Sequence, residues 1–299
     1  MTTTTSVYHA GSRAVQDRVG VRGAADHVGR SVGQGIKPVA AAFLQLQPLL
    51  VVGAAAPETG RVWVTPLTGD PGFVRATGPR EMSLAGTPRP GDPLAHALAS
   101  EGTRVGTIAL DPRTRRRMRL NGRSRPTPGG FAVEADRVFS NCPKYLQKRE
   151  SWETVTDRVP GPARHTRRLT DAQRAFIESA DTFFVATVHK DGAEVSHRGG
   201  NPGFVRTVSP AELTWPDYPG NAMFLTLGNL TADPRAGLLF LDWTTGTTLQ
   251  LTGEAHTDFA PDGERRVRFA VTEAVHTERA LPLRWSAPAY SPANPTPPG

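Results

Sequence analysis

The chain is 299 residues long, which accommodates two domains, and its 30 glycines and 27 prolines favour short strands and tight turns over long helices. A net charge of +7 favours acidic partners such as phosphate-bearing cofactors, nucleic acid or a membrane surface. The single cysteine excludes an intrachain disulfide, and the lack of a signal-peptide pattern or a long apolar run predicts a cytoplasmic protein without a membrane partner.

The first half of the chain predicts an N-terminal arm followed by a β-rich domain. The arm covers residues 1–40, and its glycines restrict any helices to short ones. The first domain covers residues 41–150, where apolar runs separated by Pro- and Gly-containing turns predict antiparallel strands. These strands are expected near residues 49–53, 61–67, 81–84, 105–110, 115–120 and 131–139.

The second half predicts a linker, a second domain and a tail. Residues 151–170 are polar and rich in arginine and proline, as is typical of a linker. The second domain covers residues 171–285, and Thr170 is suited to cap its first helix. Further along we expect a basic helix at 262–280. The tail at 286–299 consists mostly of proline, alanine and serine, which predicts disorder.

A heptapeptide occurs twice in the chain. Gly69-Asp70-Pro71-Gly72-Phe73-Val74-Arg75 returns as Gly200-Asn201-Pro202-Gly203-Phe204-Val205-Arg206, at an offset of 131 residues. A second block keeps this offset, because residues 106–122 share several glycine, leucine, aspartate and threonine positions with residues 237–253. Two blocks at one spacing indicate a duplicated fold. The sequence therefore predicts a mainly β protein with short helices (α+β), built as two tandem six-stranded antiparallel barrels.

The polar cluster just before the second heptapeptide is the first candidate for function. Ser196-His197-Arg198-Gly199-Gly200-Asn201 combines a hydroxyl, an imidazole, a guanidinium and an amide with two glycines that let a bulky ligand approach the backbone. Arg198 and Ser196 are suited to bind phosphate oxygens. Residues 65–68 of the first copy lack this cluster, so the heptapeptide is interpreted as scaffold and the cluster as the specialised part. The alternative is a hairpin strand with a solvated arginine.

Three polar residues further along, Asn221, Thr226 and Asn229, carry amides and a hydroxyl near a predicted turn. These groups are suited to read the edge of a flat heteroaromatic ring. Ordinary turn chemistry explains them equally well, above all for Asn221 after Gly220.

Seven arginines between positions 113 and 125 form the strongest charge feature. Among them, Arg117 and Arg119 would share one face of a strand, and their counterparts in the second copy are Thr248 and Gln250. The run is either a phosphate site or a solvated face. Nucleic-acid binding is disfavoured, because no aromatic residues are interleaved with these charges.

The segment that ends the first domain combines polar, reactive and basic groups. Lys144 and Tyr145 are candidates to line a site between the two barrels. Cys142 is a weaker candidate nucleophile, because the histidine next along the chain, His165, lies beyond the linker. The eight histidines show no metal-binding spacing, so no metal site is expected.

Several of these motifs together resemble the pyridoxamine 5′-phosphate oxidase-like superfamily of FMN-binding split barrels. The resemblance covers about residues 172–285, and the tandem arrangement is similar to the long bacterial subgroup, which extends it to about 7–285. It is carried by residues 184–187, 196–206, 220–221, 226–230, 233–240 and 249–255.

The resemblance implies two split barrels that bind FMN at their interface, in a homodimer or an internal pseudo-dimer. By this resemblance, the strand of Ser196 and His197 lies along the flavin and its phosphate. The segment before the Asp-Pro-Arg turn lies near the phosphate, and the strand of Gln250 lies near the ring. Residues and resemblance together predict a cofactor site formed by Ser196, Arg198, Gly199, Gly200, Asn221, Thr226, Asn229, Thr248 and Gln250, and closed by Arg117, Arg119, Lys144 and Tyr145 of the other barrel.

The expected function is that of an FMN-dependent oxidoreductase acting on an unidentified small molecule or on NAD(P)H, with His197 as candidate proton donor. The superfamily also contains deazaflavin and haem binders. The alternative is therefore a non-catalytic flavin, deazaflavin or haem-binding protein that serves a partner reductase. The substrate-binding C-terminal segment of true pyridoxamine-phosphate oxidases is not evident, so their activity is not carried over.

Overall fold

Two large antiparallel sheets dominate the structure, a computed structural model that describes residues 7–140 and 143–295. The helices are α1 (Ala10–Val19), α2 (Arg22–Gly29), α3 (Pro38–Gln45), α4 (Ala95–Leu98), α5 (Asp171–Ser179) and α6 (Leu225–Ala232). The first strands are β1 (Leu49–Ala55), β2 (Val62–Thr68), β3 (Val74–Gly78), β4 (Glu81–Ala85), β5 (Arg104–Asp111), β6 (Arg116–Thr127) and β7 (Gly130–Ser140). The later strands are β8 (Trp152–Thr154), β9 (Arg164–Thr166), β10 (Thr182–His189), β11 (Gly192–Gly199), β12 (Arg206–Ser209), β13 (Glu212–Pro216), β14 (Arg235–Leu241), β15 (Thr248–Phe259), β16 (Arg265–Thr277) and β17 (Leu283–Trp285).

The two sheets have the same strand order. The first sheet runs β2-β1-β5-β6-β7-β4-β3, and the second runs β11-β10-β14-β15-β16-β13-β12, with β9 pairing to β16 beside this path. The repeat offset converts the first order into the second strand by strand. The predicted fold class, mainly β with two tandem split barrels, is therefore confirmed. Each path has seven strands rather than the expected six.

The repeated heptapeptide forms the same bend in both barrels. Gly203 and its counterpart Gly72 have φ values of 87° and 99°, a region that favours glycine. A Cβ at Gly200 would lie 2.6 Å from the ring of Phe204, and the first copy repeats this contact at the same distance. The bend leads into β12 in one barrel and β3 in the other, which supports its interpretation as scaffold.

The two barrels share an apolar core and a reciprocal close approach. Gly106 of β5 lies against Glu194 of β11, and Gly237 of β14 lies against Val62 of β2, so that each approach is the repeat-related image of the other. This is the geometry of an isologous dimer interface formed within one chain. The shared core contains Leu49, Val51, Val62, Val64, Ile108 and Leu110 of the first barrel, and Phe184, Ala186, Val188, Val195, Leu239 and Leu241 of the second.

The predicted basic helix at 262–280 is wrong, because this segment contains the long strand β16. Val267, Phe269 and Val271 are buried, whereas Arg266 and Arg268 between them are exposed. This alternation has the period of a strand with one buried face, and a helix would require a period of 3.6 residues.

The C-terminal tail is also better ordered than predicted. Ala289 pairs with Lys148, and the buried side chain of Gln147 accepts a hydrogen bond from the Ser291 backbone N–H at 2.8 Å. Residues 296–299 of the predicted tail lie outside the described residues. The predicted linker contains the short strands β8 and β9, which pair with β17 and β16. Among the described residues, none of the helices combines the length and the apolar character needed to cross a bilayer.

Candidate functional site

A groove of about 920 Å³, counting its open mouth, lies between the barrels. One wall is the C-terminal part of β11, and the facing wall comes from β6 of the first barrel. Residues 216–224 and the first turn of α6 close one end. Of the predicted site residues, the groove is lined by Arg117, Arg119, Lys144, Tyr145, Ser196, His197, Arg198, Gly199, Asn221 and Thr226.

Four predicted cofactor residues do not line this groove. The carbonyl of Gly200 accepts a hydrogen bond from Gln147 Nε2 at 3.1 Å. Asn229 is buried on another side of α6, where it bonds to other protein groups. Thr248 and Gln250 line a different cavity on the opposite side of the barrel interface. Cys142 and Asn141 lie outside the described residues.

The groove has an excess of positive charge. Arg198 lies 3.6 Å from Asp217, which also pairs with Arg265 at 3.0 Å. Arg119 is buried, lies 3.6 Å from Glu194 and donates from Nε to the Val195 carbonyl at 2.7 Å. Burial lowers the pKa of Arg119 to about 10, so that it remains charged at neutral pH. With Arg117 and Lys144 also present, the lining favours an anionic ligand.

His197 is buried in this groove as a neutral imidazole. Arg117 Nη1 donates to its Nδ1 at 2.7 Å, since a guanidinium can only donate. Burial, followed by the charges of Arg117, Arg198 and Arg119, lowers the pKa of His197 well below its ordinary value. The proton therefore sits on Nε2, which has no hydrogen-bond partner among the described residues. His197 is suited to donate a hydrogen bond, which differs from the proton-donor role predicted from the sequence.

Hydroxyl groups and the start of a helix add further donors. Thr226 Oγ1 donates to Ser196 Oγ at 3.0 Å, and both side chains are buried. Thr226 stands in the first turn of α6, whose N-cap residue Phe224 makes no side-chain capping bond within the described part of the chain. The positive end of a helix dipole therefore faces a groove that already favours anions.

The loop before α6 is strained. Ala222 and Phe224 have φ values of 62° and 52°, although neither is a glycine. Asn221 Oδ1 accepts a hydrogen bond from the Met223 N–H at 3.2 Å, so that its amide oxygen is used in a turn. Behind the loop, the fully buried Gln16 of α1 donates from Nε2 to the Met223 carbonyl at 2.9 Å.

The N-terminal arm therefore supports the site from behind. His9 Nε2 donates to Asn229 Oδ1 at 2.8 Å, and Asn229 Nδ2 donates to Thr187 Oγ1 at 2.9 Å. A Cβ at Gly228 of α6 would lie 2.5 Å from the backbone of α1 at Ser12. Sequence reasoning missed Gln16 and this helix crossing, because the partners are more than 200 residues apart in the chain. It also missed Asp217, which lies in a loop without a recognisable motif.

We expect Gln16→Leu to weaken ligand binding in the groove about fivefold and to lower the free energy of unfolding by about 1–2 kcal/mol. Leucine keeps the helix and much of the volume but leaves the buried Met223 carbonyl without its donor. Ligand titration and urea unfolding measure the two effects. Gln45→Leu on the exposed surface of α3 is the control, and equal ligand affinity in both variants would contradict this role.

Acid is expected to destabilise the fold through two histidines. Burial, followed by His9 and Arg137, lowers the pKa of His189 to about 4, and the pKa of His197 is lowered as well. As pH falls below about 6.5, the unfolded chain takes up these protons first. The free energy of unfolding therefore decreases from pH 6.5 towards pH 4. Urea unfolding across this range should show a shallower decrease for His189→Asn, and an unchanged decrease would contradict the assignment.

The second barrel is similar to a known protein family. Residues 169–290 match the family model described as pyridoxamine 5′-phosphate oxidase, which confirms the predicted resemblance over this part of the chain. No curated protein matches the chain.

Solved structures with similarity to the chain each match about one third of it. A putative pyridoxamine 5′-phosphate oxidase from Lactobacillus delbrueckii has 16% identity, covering 36% of this chain and 94% of its own, with a TM-score of 0.31. HupZ from Group A Streptococcus has 13% identity over 34% and 89%, with a TM-score of 0.29. An FAD-binding protein from Mesorhizobium loti has 12% identity over 39% and 97%, with a TM-score of 0.29.

Proposed function

We propose that the chain binds FMN in the groove and is an FMN-dependent oxidoreductase. The match of residues 169–290 to the pyridoxamine 5′-phosphate oxidase family model supports this function. The observation that carries the proposal is the set of buried donors without partners in a cationic groove. His197 Nε2 and Arg198 Nε are both buried and unpartnered among the described residues. Such donors are rare in folded proteins unless a ligand or water satisfies them.

The residues of the groove fit the phosphate of FMN. Arg198 and Lys144 supply positive charge, Ser196 and Thr226 supply hydroxyls, and the first turn of α6 supplies backbone N–H groups. Gly199 is required by packing rather than by ligand access, because a Cβ there would lie 2.0 Å from the carbonyl oxygen of Tyr145. Ile108 and Leu225 provide apolar contact for a planar ring.

The protein's own contribution is position, polarity and exclusion of water. Bound FMN would supply hydride and electron transfer. His197, held in the Nε2–H tautomer by Arg117, would donate a hydrogen bond to an acceptor atom of the ring. Arg119, fixed by Glu194 and the Val195 carbonyl, would keep positive charge beside the bound anion without moving.

The reductant or substrate would enter at the mouth of the groove. Tyr145 and Tyr218 form an aromatic pair there, with ring centroids 5.1 Å apart, and Lys144 stands beside them. A flat ring on a phosphate-bearing sugar, such as the nicotinamide of NAD(P)H, fits this combination of aromatic faces and positive charge.

The test is the absorption spectrum of the purified protein, followed by titration with FMN and by addition of NAD(P)H without oxygen. We expect flavin bands that shift on binding and bleach when NAD(P)H is added. A colourless protein that leaves the spectrum and fluorescence of added FMN unchanged would refute the proposal. Binding without bleaching by any of several reductants would leave a flavin-holding protein without turnover, the alternative function.

Haem is the less favoured ligand of this groove. A histidine ligates iron through a nitrogen that carries no proton. Arg117 donates to Nδ1 of His197, so that Nε2 keeps its proton and is not available as a ligand. The same spectrum distinguishes the two cofactors, because a Soret band after haem addition would favour a haem-binding protein.

A further inference from the structure

The repeat implies a second groove related to the first by the internal symmetry. The first groove combines β6 of one barrel with β11 of the other. Shifted by the repeat offset, these strands become β15 and β2, which meet on the opposite side of the interface. A cavity lies there, lined by Pro66 of β2 and by Thr248 and Gln250 of β15. We call this cavity the counterpart groove.

The counterpart groove lacks the donors of the first. Its positions equivalent to Arg117 and Arg119 are Thr248 and Gln250. The position equivalent to Arg198 is Leu67, which is buried. The guanidinium groups that make the first groove cationic are therefore replaced by neutral side chains.

A carboxylate occupies the counterpart groove. Asp92 Oδ1 accepts hydrogen bonds from Thr65 Oγ1 at 2.6 Å and from the Leu94 N–H at 2.8 Å. Its Oδ2 accepts from Gln250 Nε2 at 3.1 Å, and the same amide also donates to the Val64 carbonyl at 2.9 Å. These bonds engage the side chains of Asp92, Thr65 and Gln250 with one another, so that they are not free to bind a phosphate.

Other parts of the chain cover the counterpart groove. Residues 161–163 and 280–281 line it, and Arg89 Nη1 donates to the Ala280 carbonyl at 2.7 Å. The Gly161 N–H donates to the Glu278 carbonyl at 2.8 Å, which holds the covering segment in place. These segments narrow the counterpart groove to about 560 Å³, counting its opening, against about 920 Å³ in the first groove.

We infer that each chain binds a single FMN, with both walls of the site supplied by the same chain, and that the counterpart groove takes no flavin. The inference rests on the proposed function, because it counts the sites for the ligand named there. The repeat supplies two interface grooves. Because the arginines of the first groove are replaced by neutral residues in the counterpart groove, only the first is suited to bind an anionic cofactor.

Counting bound FMN per chain tests the inference. Native mass spectrometry and calorimetric titration of the full chain with FMN should both give one FMN per chain. The double variant Arg117→Gln/Arg198→Gln should reduce this to none at the same FMN concentration. Arg89→Gln, in the counterpart groove, is the matched control and should still bind one.

The outcomes separate the inference from the proposed function. Two FMN per chain would overturn the inference and leave the proposed function intact. One FMN retained at full occupancy by the double variant would overturn the inference and also the placement of FMN in this groove, although flavin binding itself would stand. One FMN per two chains would also overturn it, because the site would then need a second copy. If the unaltered chain binds none, the proposed function fails and the inference fails with it.

Discussion

Gly106→Ala is expected to lower the free energy of unfolding by about 3 kcal/mol. A Cβ at this position would lie 2.5 Å from Glu194 Cα and 2.7 Å from Val195 N, both of which are backbone atoms of β11. A flexible side chain could move away from the added methyl group. The backbone of β11 cannot, because it is hydrogen-bonded to β10 in its sheet. The added methyl group therefore forces the two barrels apart at the centre of their interface. Urea unfolding measures the loss directly.

Gly86→Ala is the control for this substitution, because a Cβ there would meet nothing within 4 Å. It should be neutral or slightly stabilising, through the reduced entropy of the unfolded chain. We also expect Gly106→Ala to weaken FMN binding, since β11 carries Ser196 and His197. A Gly106→Ala protein as stable as the control would show that the barrels do not approach as closely as described.

Arg117→Gln is expected to weaken FMN binding about 10- to 100-fold, in line with the loss of a charge-assisted hydrogen bond. The substitution removes a positive charge from the groove. It also removes the donor that faces His197 Nδ1, so that the imidazole is no longer held with its proton on Nε2. Fluorescence titration with FMN measures the dissociation constant. Riboflavin, which lacks the phosphate, should lose less affinity than FMN if the lost charge acts mainly on the phosphate.

Arg116→Gln is the matched control, since Arg116 is the exposed neighbour of Arg117 on the same strand. The Arg116→Gln substitution changes the net charge by the same amount, but Arg116 does not line the groove. Equal weakening by both substitutions would mean that only the overall charge matters, and the specific role of Arg117 would be rejected. A smaller salt dependence of FMN binding in Arg117→Gln than in Arg116→Gln would support it.

Local patterns in the sequence were sufficient to predict the architecture of two β-rich barrels. The conserved spacing of the two blocks predicted the duplication, since related segments fold alike, and the turn residues predicted short antiparallel strands. The polar run of Ser196, His197 and Arg198 stood out because its counterpart in the first copy had lost these groups. The structure places this run in the groove together with Arg117 and Lys144. The prediction of a helix at strand β16 was wrong because basic composition does not distinguish a helix from a strand, whereas the alternation of buried and exposed residues does.

The duplicated sequence by itself determined that the protein has two barrels and which strand carries the specialised residues. Only the tertiary structure decided which strands face each other. His197 on β11 meets Arg117 of the first barrel, whereas Gln250 belongs to the same barrel as His197 and faces the opposite groove. The facing wall of the β11 groove could come from β6 of the first barrel or from β15 of the second. The local sequence of β11 is the same in either case, so it does not show which barrel supplies that wall. The close approach of backbones at Gly106 and Gly237 stabilises that pairing, because a side chain at either position would clash with a backbone strand of the other barrel.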